Sequence, residues 1–142
     1  MKVLGIGAHP DDLEILCAGT LALYAKNGNE VYMCHVCDGN KGSLEHTSEE
    51  IAEIRDKEAK QSAKVIGATP LWAGISDGEV VVDLKSREMI IDVIRQADPD
   101  LIITHSPNDY HSDHVNTSLL VFEATYLASI KLWETEHPPS TK

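Results

Sequence analysis

Apolar positions fall into short continuous runs that alternate with longer stretches of helical period. Val3-Leu4-Gly5-Ile6 is a run of the kind buried on both faces of a sheet, and it predicts strand one over residues 2–8. Helix one is expected over 12–27, with Leu13, Leu16, Cys17, Thr20, Leu21 and Tyr24 on one stripe and Gly28 as the stop. Gly19 inside that helix costs stability relative to Ala, and close packing on the sheet is the expected reason. Strand two is Glu30 to Cys37. Thr47 and Glu50 make a capping box that opens helix two, about 48–66, with Ala52, Arg55, Ala59, Ala63 and Ile66 at spacings of three and four. A short strand three lies near 70–73, and Ser76-Asp77-Gly78 signals a turn. Asp83 caps helix three, 84–97, with Ile90, Val93, Ile94 and Ala97 facing in, and Asp98-Pro99-Asp100 ends it. Strand four is 100–104. Helix four begins near Asp113 and carries Leu119, Phe122, Tyr126 and Ile130; the tail from Glu136 reads as irregular.

Strands that alternate with helices imply βαβ units and a mostly parallel sheet. The expected fold is a single α/β domain, Rossmann-like and three-layered (α/β/α), with strand order 3-2-1-4. In that order strand four lies beside strand one, on the side away from strand two. The winding reverses between them, which is where such sheets open a crevice.

Composition narrows the function classes. The 142 residues suffice for one core, and 42% hydrophobic with 25% charged residues is ordinary for a globular domain. A formal charge of −11 argues against nucleic acid or an anionic membrane as partner. No apolar run is long enough for a bilayer and no signal-peptide pattern is seen, so a cytoplasmic location is expected. Cys17, Cys34 and Cys37 are an odd number, which argues against a disulfide framework. Cys34-His35-Val36-Cys37 imitates a redox or zinc motif. On a strand, however, positions 34 and 37 should face opposite sides, so core packing is expected instead.

Two clusters carry candidate chemistry. The first, His9-Pro10-Asp11-Asp12-Leu13-Glu14, occupies the turn from strand one into helix one. Pro10 restricts the turn, and the imidazole of His9 and the carboxylate of Asp12 can meet at one point with Asp11 left free. Helix capping is the plain alternative for these acids. The second cluster, Tyr110-His111-Ser112-Asp113-His114, follows strand four in the same kind of turn. Two imidazoles and a carboxylate in four residues exceed what capping needs. With strands one and four adjacent, His9, Asp12 and His114 can surround one ion. Gly5-x-Gly7-x-x-Pro10 also imitates a dinucleotide fingerprint, but the third glycine is absent and Asp11 and Asp12 would repel a pyrophosphate.

Ala8-His9-Pro10-Asp11-Asp12-Leu13-Glu14, followed by His111-Ser112-Asp113-His114, resembles the LmbE-like, or PIG-L, zinc-dependent N-acetylglucosamine deacetylases. Gly19-Thr20, Gly42-Ser43, Arg55-x-x-Glu58 and Asp77-Gly78 extend the likeness weakly along the chain. The resemblance implies that His9, Asp12 and His114 ligate Zn2+, with Fe2+ as another candidate. It implies Asp11 as general base and His111 as the group that stabilises developing charge. Asp113 either orients His111 or caps helix four. Arg55 and Asp77 are the implied sugar contacts, with an Arg55–Glu58 pair as the alternative for the arginine. Three protein ligands leave zinc an open position, where it acidifies water and polarises an amide carbonyl. The implied substrate is a small amino-sugar conjugate that loses its N-acetyl group. A homo-oligomer stays open. Family members usually continue past this length, so part of the C-terminal cleft wall is expected to lie outside these 142 residues. A non-catalytic metal-binding or assembly module is therefore the main alternative, with nucleotide binding behind it.

Overall fold

Residues 1–142 are all described by the computed structural model. The elements are β1 (Lys2–Gly7), α1 (Asp12–Leu16), α2 (Ala18–Lys26), β2 (Glu30–Cys37), α3 (Ser48–Val65), β3 (Thr69–Ile75), α4 (Leu84–Ala97), β4 (Leu101–Thr104) and α5 (Ser112–Leu127). The four strands are all parallel in the order β3-β2-β1-β4, as the alternation of elements requires. Side chains alternate across the sheet. Leu4, Ile6, Cys34 and Val36 face α4 and α5, whereas Val3, Val31 and Met33 face α1, α2 and α3. Ile6 is paired with Thr104, so β1 and β4 deliver their following turns at one level. That register places the two polar clusters side by side. No helix is long and apolar enough to cross a membrane.

Several expectations need correction. Helix one is two helices, broken at Cys17 (φ −143°, ψ 6°). Leu13 and Leu21 both close on Gly5, where an added Cβ would lie 3.3 Å from Leu13 Cδ2 and 3.0 Å from Leu21 Cδ1. In one unbroken helix residues eight apart are rotated by about 80°. The break lets both leucines reach the same spot. Leu16 and Thr20 are consequently exposed, and Gly19 touches nothing.

Cys34 and Cys37 do not face opposite sides. The β2–β3 register shifts between His35 and Cys37, and both thiols enter the α4–α5 side of the core. They are free and buried, and desolvation pushes Cys34 up to about 12. On α5 large apolar residues do not by themselves mark the buried face. Leu119, Phe122 and Tyr126 are exposed, and the helix buries Asp113, His114, Thr117, Leu120, Val121 and Ala124 instead. The buried face begins with polar residues because it runs into the site.

The capping box at Thr47–Glu50 and the Asp83 cap form as expected. Glu14, the last residue of the first motif, proves to be a tie. Its carboxylate accepts from Ser62 on α3 (2.7 Å) and meets His35 on β2 (3.2 Å). Burial would raise its pKa, but these partners outweigh it and keep the carboxyl below its ordinary range. The irregular tail is held by side chains. Buried Arg95 donates to the carbonyls of Ala128, Ile130 and Trp133, and His137 pairs with Asp92 at 2.9 Å.

Candidate metal centre and active site

Beyond Gly7 the chain turns sharply: Asp11 N and Asp12 N both donate to His9 O. An added Cβ at Gly7 would lie 3.0 Å from Leu13 Cγ and 3.2 Å from Asp12 Cβ, so this position leaves no room for a larger residue. Asp12 turns its side chain back and accepts from His9 N at 2.7 Å. The same carboxylate stands between two imidazoles. Asp12 Oδ2 is 3.4 Å from His9 Nδ1, and Oδ1 is 3.3 Å from His114 Nε2. Residues 105 positions apart, 9 and 114, therefore meet across one carboxylate, as the sequence led us to expect. Asp11 occupies the N-cap position of α1 yet makes no capping bond with its side chain. It is exposed in the cleft, which excludes the plain capping role.

Asp113 departs from expectation. It neither orients His111 through its carboxylate nor caps α5. Its side chain is 1% exposed, and Oδ2 lies 3.0 Å from His9 Nε2 while accepting from Gly78 N at 2.7 Å. The first turn of α5 points this group inwards, towards β1 and the β3–α4 turn. The cap belongs to His111, whose Nδ1 accepts from Asp113 N at 3.1 Å. An imidazole nitrogen that accepts an N–H is unprotonated, so neutral His111 carries its proton on Nε2. It can donate without being charged.

Electrostatics follow from this packing. The Asp12 contact outweighs burial, and Asp113 adds to it, so the His9 imidazole is raised to about 9. Burial would raise Asp12, but the His9 imidazole and the His9 amide work against it, and the carboxyl is held far below its usual range. Burial pushes the Cys37 thiol up, reinforced by Asp113, Asp77 and Asp38 nearby, so it stays a neutral thiol.

Arg55 and Asp77 both line the cleft, which encloses about 700 Å³. Arg55 donates to Glu58 at 2.7 Å, the plainer of the two expectations. Asp77 is engaged by the loop after β2, accepting from Gly39 N (2.9 Å) and Lys41 N (3.2 Å). Gly39 has φ +73°, and an added Cβ would meet Arg55 Cγ at 2.7 Å and Pro10 Cγ at 3.2 Å. The loop is thus clamped between α3 and the His-Pro turn.

The sequence reading missed three contributors. Asp109 accepts from His111 N at 3.0 Å and lies 3.2 Å from His114 Nδ1, outside hydrogen-bond alignment with that nitrogen. Cys37 sits within reach of His9 and Asp77. His105 immediately follows β4, as Ala8-His9 follows β1, and that symmetry was a signal available in the sequence.

Ligand-capable atoms of His9, His111 and His114 lie within 4.8 Å of one another, as do those of Asp12, His105 and His114. Two imidazoles around a buried carboxylate fit a small divalent cation such as zinc. A second carboxylate on the far nitrogen of His9 is the outer support such ligands commonly have.

The chain is 27% identical over 135 residues to the 4-oxalmesaconate hydratase of Pseudomonas putida, covering 89% of this chain and 52% of that protein. It is 25% identical over 150 residues to the mycothiol S-conjugate amidase of Streptomyces coelicolor, covering 87% and 51% respectively. The chain thus spans about half the length of these curated relatives. Among solved structures, the N,N'-diacetylchitobiose deacetylase of Pyrococcus horikoshii superposes with a TM-score of 0.90 at 27% identity, covering 99% of this chain and 57% of that one. Residues 4–125 match the model of the PIG-L family, described as GlcNAc-PI de-N-acetylase, and with both motif turns inside that match the chain belongs to this family.

Proposed function

We propose that this chain is the catalytic part of a zinc-dependent N-deacetylase that hydrolyses the acetamide of an N-acetylglucosamine-type conjugate. The observation that carries this reading is the Asp12 carboxylate set between His9 and His114, with Asp11 beside it and unpaired. His9, Asp12 and His114 are the residues that would hold the ion; Fe2+ suits the same donors. When bound, the ion supplies a Lewis acid and an acidified water.

The protein's own groups do the rest. Asp11 accepts a proton from water as the water oxygen bonds to the acetamide carbon. His111 Nε2–H faces the carbonyl oxygen as it gains charge, and its backbone-set tautomer makes it a donor at neutral pH. Asp11 then returns the proton to nitrogen as the C–N bond breaks, giving acetate and an amine. Asp113 holds His9 in the orientation that aims Nδ1 at Asp12. Arg55, which lines the cleft and is paired with Glu58, is the proposed partner of sugar hydroxyls at the rim, a role that requires it to exchange Glu58 for the substrate.

The hydratase relative favours a second reading in which the same base and ion add water to an activated double bond. A panel of N-acetylglucosamine conjugates, assayed for acetate after zinc loading and after chelation, tests the first. Acetate release that vanishes on chelation and returns with zinc supports it. No release across the panel, with hydration of an unsaturated keto acid instead, sinks it in favour of the second.

A further inference from the structure

Three imidazoles that converge in the cleft differ in what fixes their rings. His9 is tied at Nε2 by Asp113, 3.0 Å away. His111 is tied at Nδ1 by the Asp113 amide, 3.1 Å away. His114 has no such tie: its Nδ1 is buried without a hydrogen bond, although Asp109 is close. A histidine that holds a metal nearly always has its other nitrogen hydrogen-bonded, because that bond sets the ring plane. Something else must set it here.

Of the rings packed on His114, His105 is nearer and more nearly parallel than His111, whose centroid is 4.9 Å away with planes 27° apart. The His105 and His114 imidazoles are stacked, with centroids 4.1 Å apart and planes within 8°. The His105 side chain is only 5% exposed. Its own orientation is fixed by the fold, since Ala8 N donates to His105 Nε2 at 2.9 Å. That bond joins the residue after β4 to the residue before His9, across the β1–β4 register. It also decides what His105 can do. A lone pair used by a backbone N–H is not aimed at a cation, so His105 is not a ligand, although Nε2 is within 3.2 Å of Asp12 Oδ2. The neutral ring carries its proton on Nδ1.

We propose that His105 is a positioning residue: anchored on the Ala8 amide, it fixes the ring plane of His114 by stacking, in place of the missing hydrogen bond. The inference rests on the metal-centre reading above. It gives the site two kinds of support. Carboxylate and amide partners hold the β1 side and the helix cap, and a flat ring held by the strand ends holds the α5 side.

The test compares His105→Phe, which keeps a flat ring but no acceptor, with His105→Gln, which keeps an acceptor but no ring, and with His105→Ala. Zinc affinity by competition with a chromophoric chelator and the visible spectrum of the Co2+-loaded protein are the readouts. Ala and Gln are expected to weaken zinc binding by about 10–100-fold and to shift the Co2+ bands, while Phe recovers most of both. Equal zinc affinity in all three variants and wild type overturns the proposal, as does rescue by Gln but not by Phe. A wild-type chain that takes up no zinc sinks the metal-centre reading and this inference together, whereas wild-type binding with indifferent variants sinks this inference alone. Should the variants fail to fold, long-range 1H–15N spectra of the wild type decide: a neutral ring protonated at Nδ1 is expected for His105, and protonation at Nε2 overturns the proposal.

Discussion

Two clefts of nearly equal volume open on this molecule, and only one holds chemistry. The cleft over the carboxyl ends of β1 and β4 encloses about 700 Å³, and the groove along the outer edge of β4, under α5, encloses about 680 Å³. The first gathers His9, Asp11, Asp12, His111 and His114, with Asp113 on His9 and Asp12 on His114 reaching across from other elements. The second is lined by Ile94, Ile102, Leu119 and Phe122, and its charged residues, Asp100 and Lys142, are paired with each other at 3.0 Å. Size does not tell them apart. Convergent polar side chains with fixed partners do. The polar cleft sits where the winding of the sheet reverses, whereas the groove exists because β4 has a neighbour on one side only.

The contrast can be broken or sharpened by experiment. Asp11→Asn is expected to lower acetate release by about 10²–10⁴-fold while zinc content and melting temperature stay at wild-type values. A variant that keeps full turnover would remove Asp11 from the chemistry. Ile94→Ala, on the groove wall and 2% exposed, should do the opposite. It should cost about 2–5 kcal/mol in urea unfolding and leave turnover per folded molecule unchanged. Lost turnover without lost stability would show that the groove takes part in the reaction.

Asp113→Ala removes the partner of His9 and of Gly78 N, and zinc affinity should fall by about 10–100-fold. Competition titration against a chelator measures this.

The pH dependence is a gentler probe. In the metal-free protein the His9 pKa is raised to about 9, from an ordinary value near 6.5. A raised folded-state pKa stabilises the fold below the unfolded value and ceases to do so as pH climbs through the folded one. The urea midpoint of metal-free protein should therefore fall between pH 6.5 and 9. Zinc must displace that proton, so its affinity should rise about tenfold per pH unit across the same window. A flat affinity profile would exclude His9 as a ligand. The smallest effect is expected from Phe122→Ser: this groove side chain is 82% exposed, and its loss should change stability by no more than about 0.5 kcal/mol and activity not at all.

Much of this was legible in the chain. The parallel sheet followed from alternation of elements, and one-handed crossovers limited the strand orders to a few, of which 3-2-1-4 is the one formed. Pro10 and the paired acids marked one turn, and two histidines around an aspartate marked the other. What failed were faces within helices. Leu13 and Leu21 share a target that one straight helix could not serve, and the break at Cys17 resolves it. On α5 the apolar residues Leu119, Phe122 and Tyr126 outline a convincing stripe, yet Asp113 and His114 dictate which side turns inwards. Site chemistry outranks apolar patterning there, since two buried polar groups need partners that the turns after β1 and β3 supply.

The sequence by itself determined the elements, their order, the parallel sheet and the two turns that carry the acids and imidazoles, because these depend on local period, capping and the short reach of connecting segments. Only the tertiary structure decided who holds whom. Asp113 serves His9 and not its neighbour His111, His105 lies flat on His114, and Glu14 ties α1 to β2 and α3. Such partnerships span 9 to 104 residues. They are set by strand register and side-chain direction, quantities that no local pattern in the chain encodes.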